Sequence, residues 1–237
     1  MQVSGETKKY AFFDVDGTVI ARDSFRILMR EMLFKGHLWR MLLAGILCCS
    51  LVLLRLVSPV GKTQFKSALL WCATVGLGRK GALKTIKKII RERVSPLWFM
   101  EMDEELTKLR STGHEICYVS ASGEPWLRFL LNTRDAGPKL IVGSKLMSFW
   151  GGLTLRGSNC LGHEKIIRLR KVLPHNALWA VAYSDHRADL PLLLASRQRL
   201  VVNPTQKNRA AIRHVLGQEG FVELQWTPSH SVKHQNH

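Results

Sequence analysis

The sequence predicts an α/β protein built on a parallel sheet, with a helical segment set between the first strand and the others. Three observations lead there. The apolar run 10–13 is closed by the paired acids of Asp14-Val15-Asp16-Gly17-Thr18. Later apolar stretches at 115–119, 140–142, 177–183 and 199–202 read as strands, with helices between most of them, which argues for right-handed crossovers. The stretch between the first strand and position 111 carries helical rather than alternating spacing.

The first strand leads directly into two carboxylates one residue apart, and Gly17 then marks a turn. In an open α/β sheet, ligands bind at the carboxyl ends of strands. Side chains alternate along extended backbone, so Asp14 and Asp16 point the same way. Two like charges converging there are costly unless a cation neutralises them, and Mg²⁺ with phosphate oxygens meets that need. A solvated acidic turn after a core strand is the ordinary alternative for a lone pair of this kind.

Residues 22–36 carry Leu, Met, Arg and Phe at helical spacing, with Asp23 or Ser24 available as N-cap. Segment 38–60, LWRMLLAGILCCSLVLLRLVSPV, is uncharged from 41 to 54 and flanked by Arg40 and Arg55. That core is shorter than the roughly 20 residues needed to span a bilayer. A single complete crossing would also put Asp14 and the residues beyond 110 on opposite sides. With Lys35, Arg40, Arg55 and Lys62 around it, the segment is expected to associate with an anionic membrane surface; the alternative is an apolar helix packed inside the protein. A second apolar helix is expected over 65–75 and a basic one over 80–93, ended by Pro96, with another over 102–111. Gly76-Leu77-Gly78-Arg79-Lys80-Gly81 matches GxGxxG without a strand before it, and Gly61-Lys62-Thr63 lacks the first glycine of a Walker A loop, so neither is taken as a nucleotide site. Residues 227–237, with His230, His234 and His237, read as a disordered tail.

Composition bounds the partners. The chain has 237 residues and a formal charge of +17, from 35 Lys plus Arg against 18 Asp plus Glu. That balance favours an anionic partner: nucleic acid, an acidic lipid surface or a phosphorylated substrate. The basic residues are not interleaved with aromatics and no binding module is recognisable, so no nucleic acid is expected. The five cysteines have no CxxC spacing and are expected to be buried, reduced thiols. Residues 1–9 are polar and lead straight into the first strand, so no signal peptide and a cytoplasmic active site are expected.

Three more stretches complete a site. Strand 115–119 ends at Ser120, and a strand-terminal hydroxyl with backbone N–H groups behind it binds phosphoryl oxygens well. Leu161-Gly162-His163-Glu164-Lys165 opens a helix, where the dipole already favours anions and Lys165 adds a full positive charge. Tyr183-Ser184-Asp185 ends another strand in a carboxylate, with Asp189 four residues on.

Together these stretches resemble the four motifs of the haloacid dehalogenase (HAD) superfamily, in order: DxDGT, a strand-end serine, a helix-start lysine, and a GDxxxD variant with Ser184 in the glycine position. The resemblance implies a Rossmann-like HAD core with a parallel sheet and helices on both faces, formed by 1–21 and 111–226. It implies an inserted helical C1-type cap over 22–110, containing the apolar segment 38–60. Asp14 is implied as nucleophile and Asp16 as general acid and base. Ser120 and Lys165 would bind phosphate. Asp14, Asp16 and Asp185 would hold Mg²⁺, with Asp189 orienting the metal's waters or Lys165. Finer details, such as Leu69-Leu70-Trp71-Cys72-Ala73-Thr74-Val75-Gly76 and Cys160-Leu161-Gly162-His163-Glu164-Lys165, resemble the class IB phosphatidylglycerophosphatase C family. That resemblance implies a phospholipid substrate, phosphatidylglycerophosphate, and the cytoplasmic face of a bacterial inner membrane. The alternatives are a cytoplasmic small-molecule phosphatase resembling phosphoserine phosphatase and, more remotely, a basic nucleic-acid-binding protein without enzymatic activity.

Overall fold

The computed structural model describes residues 7–34, 38–55 and 61–229. Strand β1 (Lys9–Phe13) is followed by α1 (Ser24–Met29), which runs on into a wider turn of helix at Arg30–Phe34. Helices α2 (Leu38–Leu54), α3 (Lys62–Thr74) and α4 (Gly78–Ile89) come next, then α5 (Glu101–Ser111). The remainder alternates: β2 (His114–Gly123), α6 (Glu124–Arg134), β3 (Lys139–Ser144), the hairpin β4 (Leu146–Phe149) and β5 (Gly152–Leu155), α7 (His163–Val172), β6 (Leu178–Ser184), α8 (Leu190–Ala195), β7 (Gln198–Val202), α9 (Gln206–Leu216) and β8 (Val222–Leu224).

Six strands form one sheet in the order β3-β2-β1-β6-β7-β8, every pairing parallel. The predicted α/β class with a parallel sheet is therefore the observed one. β1 lies at its centre, with Phe13 level with Tyr118 on β2 and Tyr183 on β6. Alternation along β1 sorts the core into two layers. Ala11 and Phe13 pack with Met102, Leu106 and Leu109 of α5 and Trp126, Leu127 and Leu130 of α6. Tyr10 and Phe12 face the other way, onto Leu169, Leu192, Leu193 and Ile212 of α7 to α9. A strand buried on both faces reads as a continuous apolar run, which is why 10–13 shows no polar alternation.

The structure departs from the sequence reading in four places. β2 continues past the expected end at 119 to Gly123, with a register shift after Val119. The hairpin β4–β5 and the edge strand β8 were not foreseen. Thr227–Ser229, expected to begin a disordered tail, is tied down: the Thr227 N–H donates to Glu101 and the Ser229 N–H to the Trp98 carbonyl. His230, His234 and His237 lie outside the described residues. Finally, Cys72, Cys117 and Cys160 are buried free thiols as expected, but Cys48 is half-buried and Cys49 exposed on α2.

Helices α2 and α3 pack side by side, and the β4–β5 hairpin lies on α3, where the Trp71 Nε1–H donates to the Phe149 carbonyl at 2.8 Å. Buried Arg40 faces inward from α2 and donates to the Val75 carbonyl at the C-terminus of α3, 3.0 Å away. A cation there meets the negative end of the helix dipole. Residues 38, 42, 46 and 53 fall on the opposite side of α2, with Leu38, Leu42, Ile46 and Leu53 between 60 and 69% exposed.

Candidate active site

The parallel register sets the carboxyl ends of β1, β2 and β6 side by side, so Asp14, Ser120 and Asp185 converge on one edge of the sheet. Asp14 follows β1 directly and is held in register by its N–H, which donates to the Tyr183 carbonyl at 3.0 Å. Gly17 turns the chain away at φ +88°, in the left-handed region that favours glycine. A methyl group there would also overlap the Asp185 carboxylate, so the turn and the close approach both exclude a side chain.

Lys165 is the hub. It sits in the first turn of α7, is 1% exposed, and donates to Asp14 Oδ1 at 2.7 Å and to Asp189 Oδ2 at 2.8 Å. Burial alone would lower its pKa; Asp14 and Asp189 outweigh that and hold the ammonium charged, well above its usual range. Burial pushes Asp14 in the opposite sense, above the ordinary carboxylate range, against the pull of Lys165 and with Asp189 and Asp185 adding to the rise.

Asp16 has its own cradle. Its Oδ1 accepts from the Ser24 N–H at 2.7 Å and its Oδ2 from the Ser122 hydroxyl at 2.5 Å; the two serine hydroxyls are 3.0 Å apart. Burial raises its pKa, followed by the charge of Asp23, and the serines only partly offset this. The Asp23 side chain itself accepts from the Arg26 N–H, so the N-cap of α1 is the first of the two residues considered. Ser120 is buried, and its Oγ accepts from the Ser122 N–H at 3.1 Å. Its own proton is thereby left free for an acceptor in the site.

Ser184, where the motif ordinarily has glycine, has a positioning role. Its hydroxyl donates to Asp189 Oδ2 at 2.8 Å and accepts from the His186 N–H. Asp189 thus bridges Ser184 and Lys165. Asp185 is different: its Oδ1 is buried with no hydrogen-bond partner, and burial, then the Asp189 charge, pushes its pKa up to about 7.

Among the described residues no group of three or more His, Cys, Asp or Glu side chains is arranged to hold a metal. Mg²⁺, however, is commonly bound by one or two carboxylates, with waters and substrate phosphate completing its shell. An unsatisfied Asp185 oxygen beside Asp14, in a cluster where Asp14, Asp185 and Asp189 share the buried Lys165 ammonium, is a donor set that such an ion fits. The geometry therefore brings together all six predicted residues: Asp14, Asp16, Ser120, Lys165, Asp185 and Asp189. Sequence reading missed Ser24, Ser122 and Lys66. The last is a lysine inside the apolar stretch 65–75, and that misplaced charge was its signal.

A sequence model of the haloacid dehalogenase-like hydrolases matches residues 11–194, well over half the chain. Protein CicA of Caulobacter vibrioides is 27% identical over 198 residues, spanning 79% of this chain and 82% of that protein. A probable phosphatase of Mycobacterium tuberculosis is 25% identical over 212 residues, spanning 86% of this chain and 72% of its own. Among solved structures, a protein of unknown function from Bordetella pertussis superposes with a TM-score of 0.67 at 17% identity, covering 92% of this chain and 99% of that one. A phosphoserine phosphatase, in a form representing its phospho-aspartyl intermediate, gives a TM-score of 0.52 at 16% identity over 87% of this chain and 91% of its own.

Proposed function

The chain belongs to the haloacid dehalogenase-like hydrolases, and on that premise we propose that it is a Mg²⁺-dependent phosphomonoesterase whose substrate is phosphatidylglycerophosphate. The observation that carries the chemistry is the buried Asp14–Lys165–Asp189 chain beside the separately held Asp16. A carboxylate oxygen of Asp14 attacks phosphorus and forms an acyl phosphate as the bond to the ester oxygen breaks. Asp16, buried and raised in pKa, gives its proton to the departing alkoxide. The resulting carboxylate then takes a proton from water as that water attacks phosphorus, releasing phosphate and restoring Asp14. Ser120 and Lys165 hold the phosphoryl oxygens throughout, and Lys165 faces the charge that develops on them. Asp14, Asp185 and the Asp16 backbone carbonyl would hold Mg²⁺, which when bound supplies Lewis-acid stabilisation of those oxygens.

The lipid substrate rests on the apolar face of α2. Its stripe stays exposed, together with Val52, among the described residues. No described helix is long and apolar enough to cross a membrane. A stripe of this kind suits a helix lying along a lipid surface, and the +17 charge suits an anionic one. By this reading, the surface is the cytoplasmic face of a bacterial inner membrane. Beside the stripe, a groove of about 460 Å³ lies between α2, α3 and the hairpin, lined by Leu47, Ala68, Trp71, Phe149 and Trp150.

A second reading, a small polar phosphomonoester as substrate, is favoured by the fold's likeness to phosphoserine phosphatase. Phosphate release separates the two. With Mg²⁺, phosphatidylglycerophosphate in mixed micelles is expected to exceed phosphoserine and p-nitrophenyl phosphate in kcat/KM by at least ~10-fold, the scale on which pocket contacts discriminate. Preference for phosphoserine would return α2 to a packing role.

A further inference from the structure

Lys66 is a half-buried cation at the site that the chemistry above leaves unused. It projects from α3, and its Nζ donates to the Ala121 carbonyl at 2.7 Å and, at 3.4 Å, to Asn159 Oδ1. Ala121 lies between Ser120 and Ser122, so a helix remote in sequence delivers an ammonium to the end of β2 that carries the phosphate-binding serine. Both hydrogen-bond partners are neutral oxygens. The Nζ also stands 4.8 Å over the Phe25 ring, a contact that suits a desolvated cation.

Its position relative to the acids gives it a side. Of the carboxylates acting on Lys66, Asp16 acts most strongly, followed by Asp23, with Asp14 behind both. Asp16 is the residue placed next to the departing ester oxygen. Lys66 touches Ala121 and Phe25, the chain neighbours of the two serines that cradle Asp16, so it stands on the Asp16 side of the site, while Lys165 stands by Asp14 and Asp189. A half-buried ammonium with no carboxylate in contact among the described residues, and a third N–H to spare, is built to receive an anion.

We infer that Lys66 is a specificity-determining residue that binds a second anionic group on the leaving group, so that the preferred substrates are phosphomonoesters bearing another negative charge near the scissile bond. The inference rests on the phosphomonoesterase reading. Two sources share that chemistry: the phosphodiester of a phospholipid headgroup and the carboxylate of phosphoserine.

The test is steady-state kinetics with Mg²⁺ on wild type, Lys66→Met and Lys66→Arg. The substrates are phosphatidylglycerophosphate in mixed micelles, phosphoserine and p-nitrophenyl phosphate, whose leaving group carries no second anion. Wild type is expected to prefer one of the two anion-bearing esters, and which one identifies the source of the charge. Lys66→Met is expected to lower kcat/KM for that ester about 10- to 100-fold more than for p-nitrophenyl phosphate, the scale of one charge-assisted hydrogen bond. The loss should fall mainly on KM, and Lys66→Arg should recover most of it. A purely structural tether to Ala121 would instead reduce all substrates by one factor, and that uniform loss, or no loss, overturns the inference. So does a wild type with no preference for an anion-bearing ester. If Lys66→Met does not fold, Lys66→Gln keeps a donor for Ala121 without the charge and is read the same way. A wild type inactive on every ester overturns the phosphatase reading, and this inference with it; activity with uniform loss overturns this inference alone.

Discussion

Replacing Asp14 with Asn is expected to reduce phosphate release by ~10⁴-fold or more, the scale on which loss of a nucleophile is felt when the covalent route is closed. The substitution keeps the shape and an oxygen for Lys165 while removing the attacking charge. It should not unfold the protein. Burial and the charges of Asp189 and Asp185 already raise the Asp14 pKa, so this carboxylate is held in the fold at a cost. Removing its charge relieves that cost, and the melting temperature should stay level or rise. Phosphate release and thermal melting on the same preparation check both halves. Substantial activity in a folded Asp14→Asn protein would remove Asp14 from the mechanism.

Lys165→Met is expected to have the second-largest effect and a different signature. Activity should fall ~10²- to 10³-fold, as when a single donor to a developing oxyanion is lost. Stability should fall as well, by about 3–5 kcal/mol at neutral pH, because Asp14 and Asp189 would be left buried without their cation. The sign of the pH dependence follows from Asp14. A carboxyl whose folded pKa lies above its ordinary 3.8 contributes no penalty below that value, and destabilises progressively as pH rises toward the raised pKa. Without Lys165 that raised value climbs further, so the gap between variant and wild type should widen as pH rises through the wild-type carboxyl's raised value. Thermal melts across a pH series check it; a constant gap would mean that Lys165 acts by packing alone.

How much of this was legible in the sequence depended on whether the signal was local. Asp14, Ser120 and Asp185 could be placed because each follows an apolar strand, and parallel strands deliver their carboxyl ends to one edge. Lys165 was legible as a cation in the first turn of a helix. The cradle of Asp16 was not, because Ser24 and Ser122 reach it from separate elements and neither serine stands out alone. Lys66 was hidden for the same reason: its role depends on α3 reaching the end of β2, a contact across 55 residues of sequence. Ser184 read only as a departure from a glycine pattern, until its hydroxyl was seen to bridge to Asp189. The β4–β5 hairpin is built from short strands, yet Trp150, Gly151 and Gly152 between two apolar runs were an available turn signal. Segment 38–60 showed its apolar length in the sequence, whereas the two faces of Leu38–Leu54 emerged only from packing, with Arg40 and Ala44 turned inward and the leucine stripe outward; residues 56–60 lie outside the described residues.

The central claim is that the phosphoryl group passes through Asp14. The most direct measurement is acid quenching of the enzyme during turnover of a ³²P-labelled ester in Mg²⁺, followed by peptide mapping of the label. Label on the peptide carrying Asp14, absent from Asp14→Asn, is the predicted result. Sustained turnover with no label on that peptide, or label on another residue, would contradict the account.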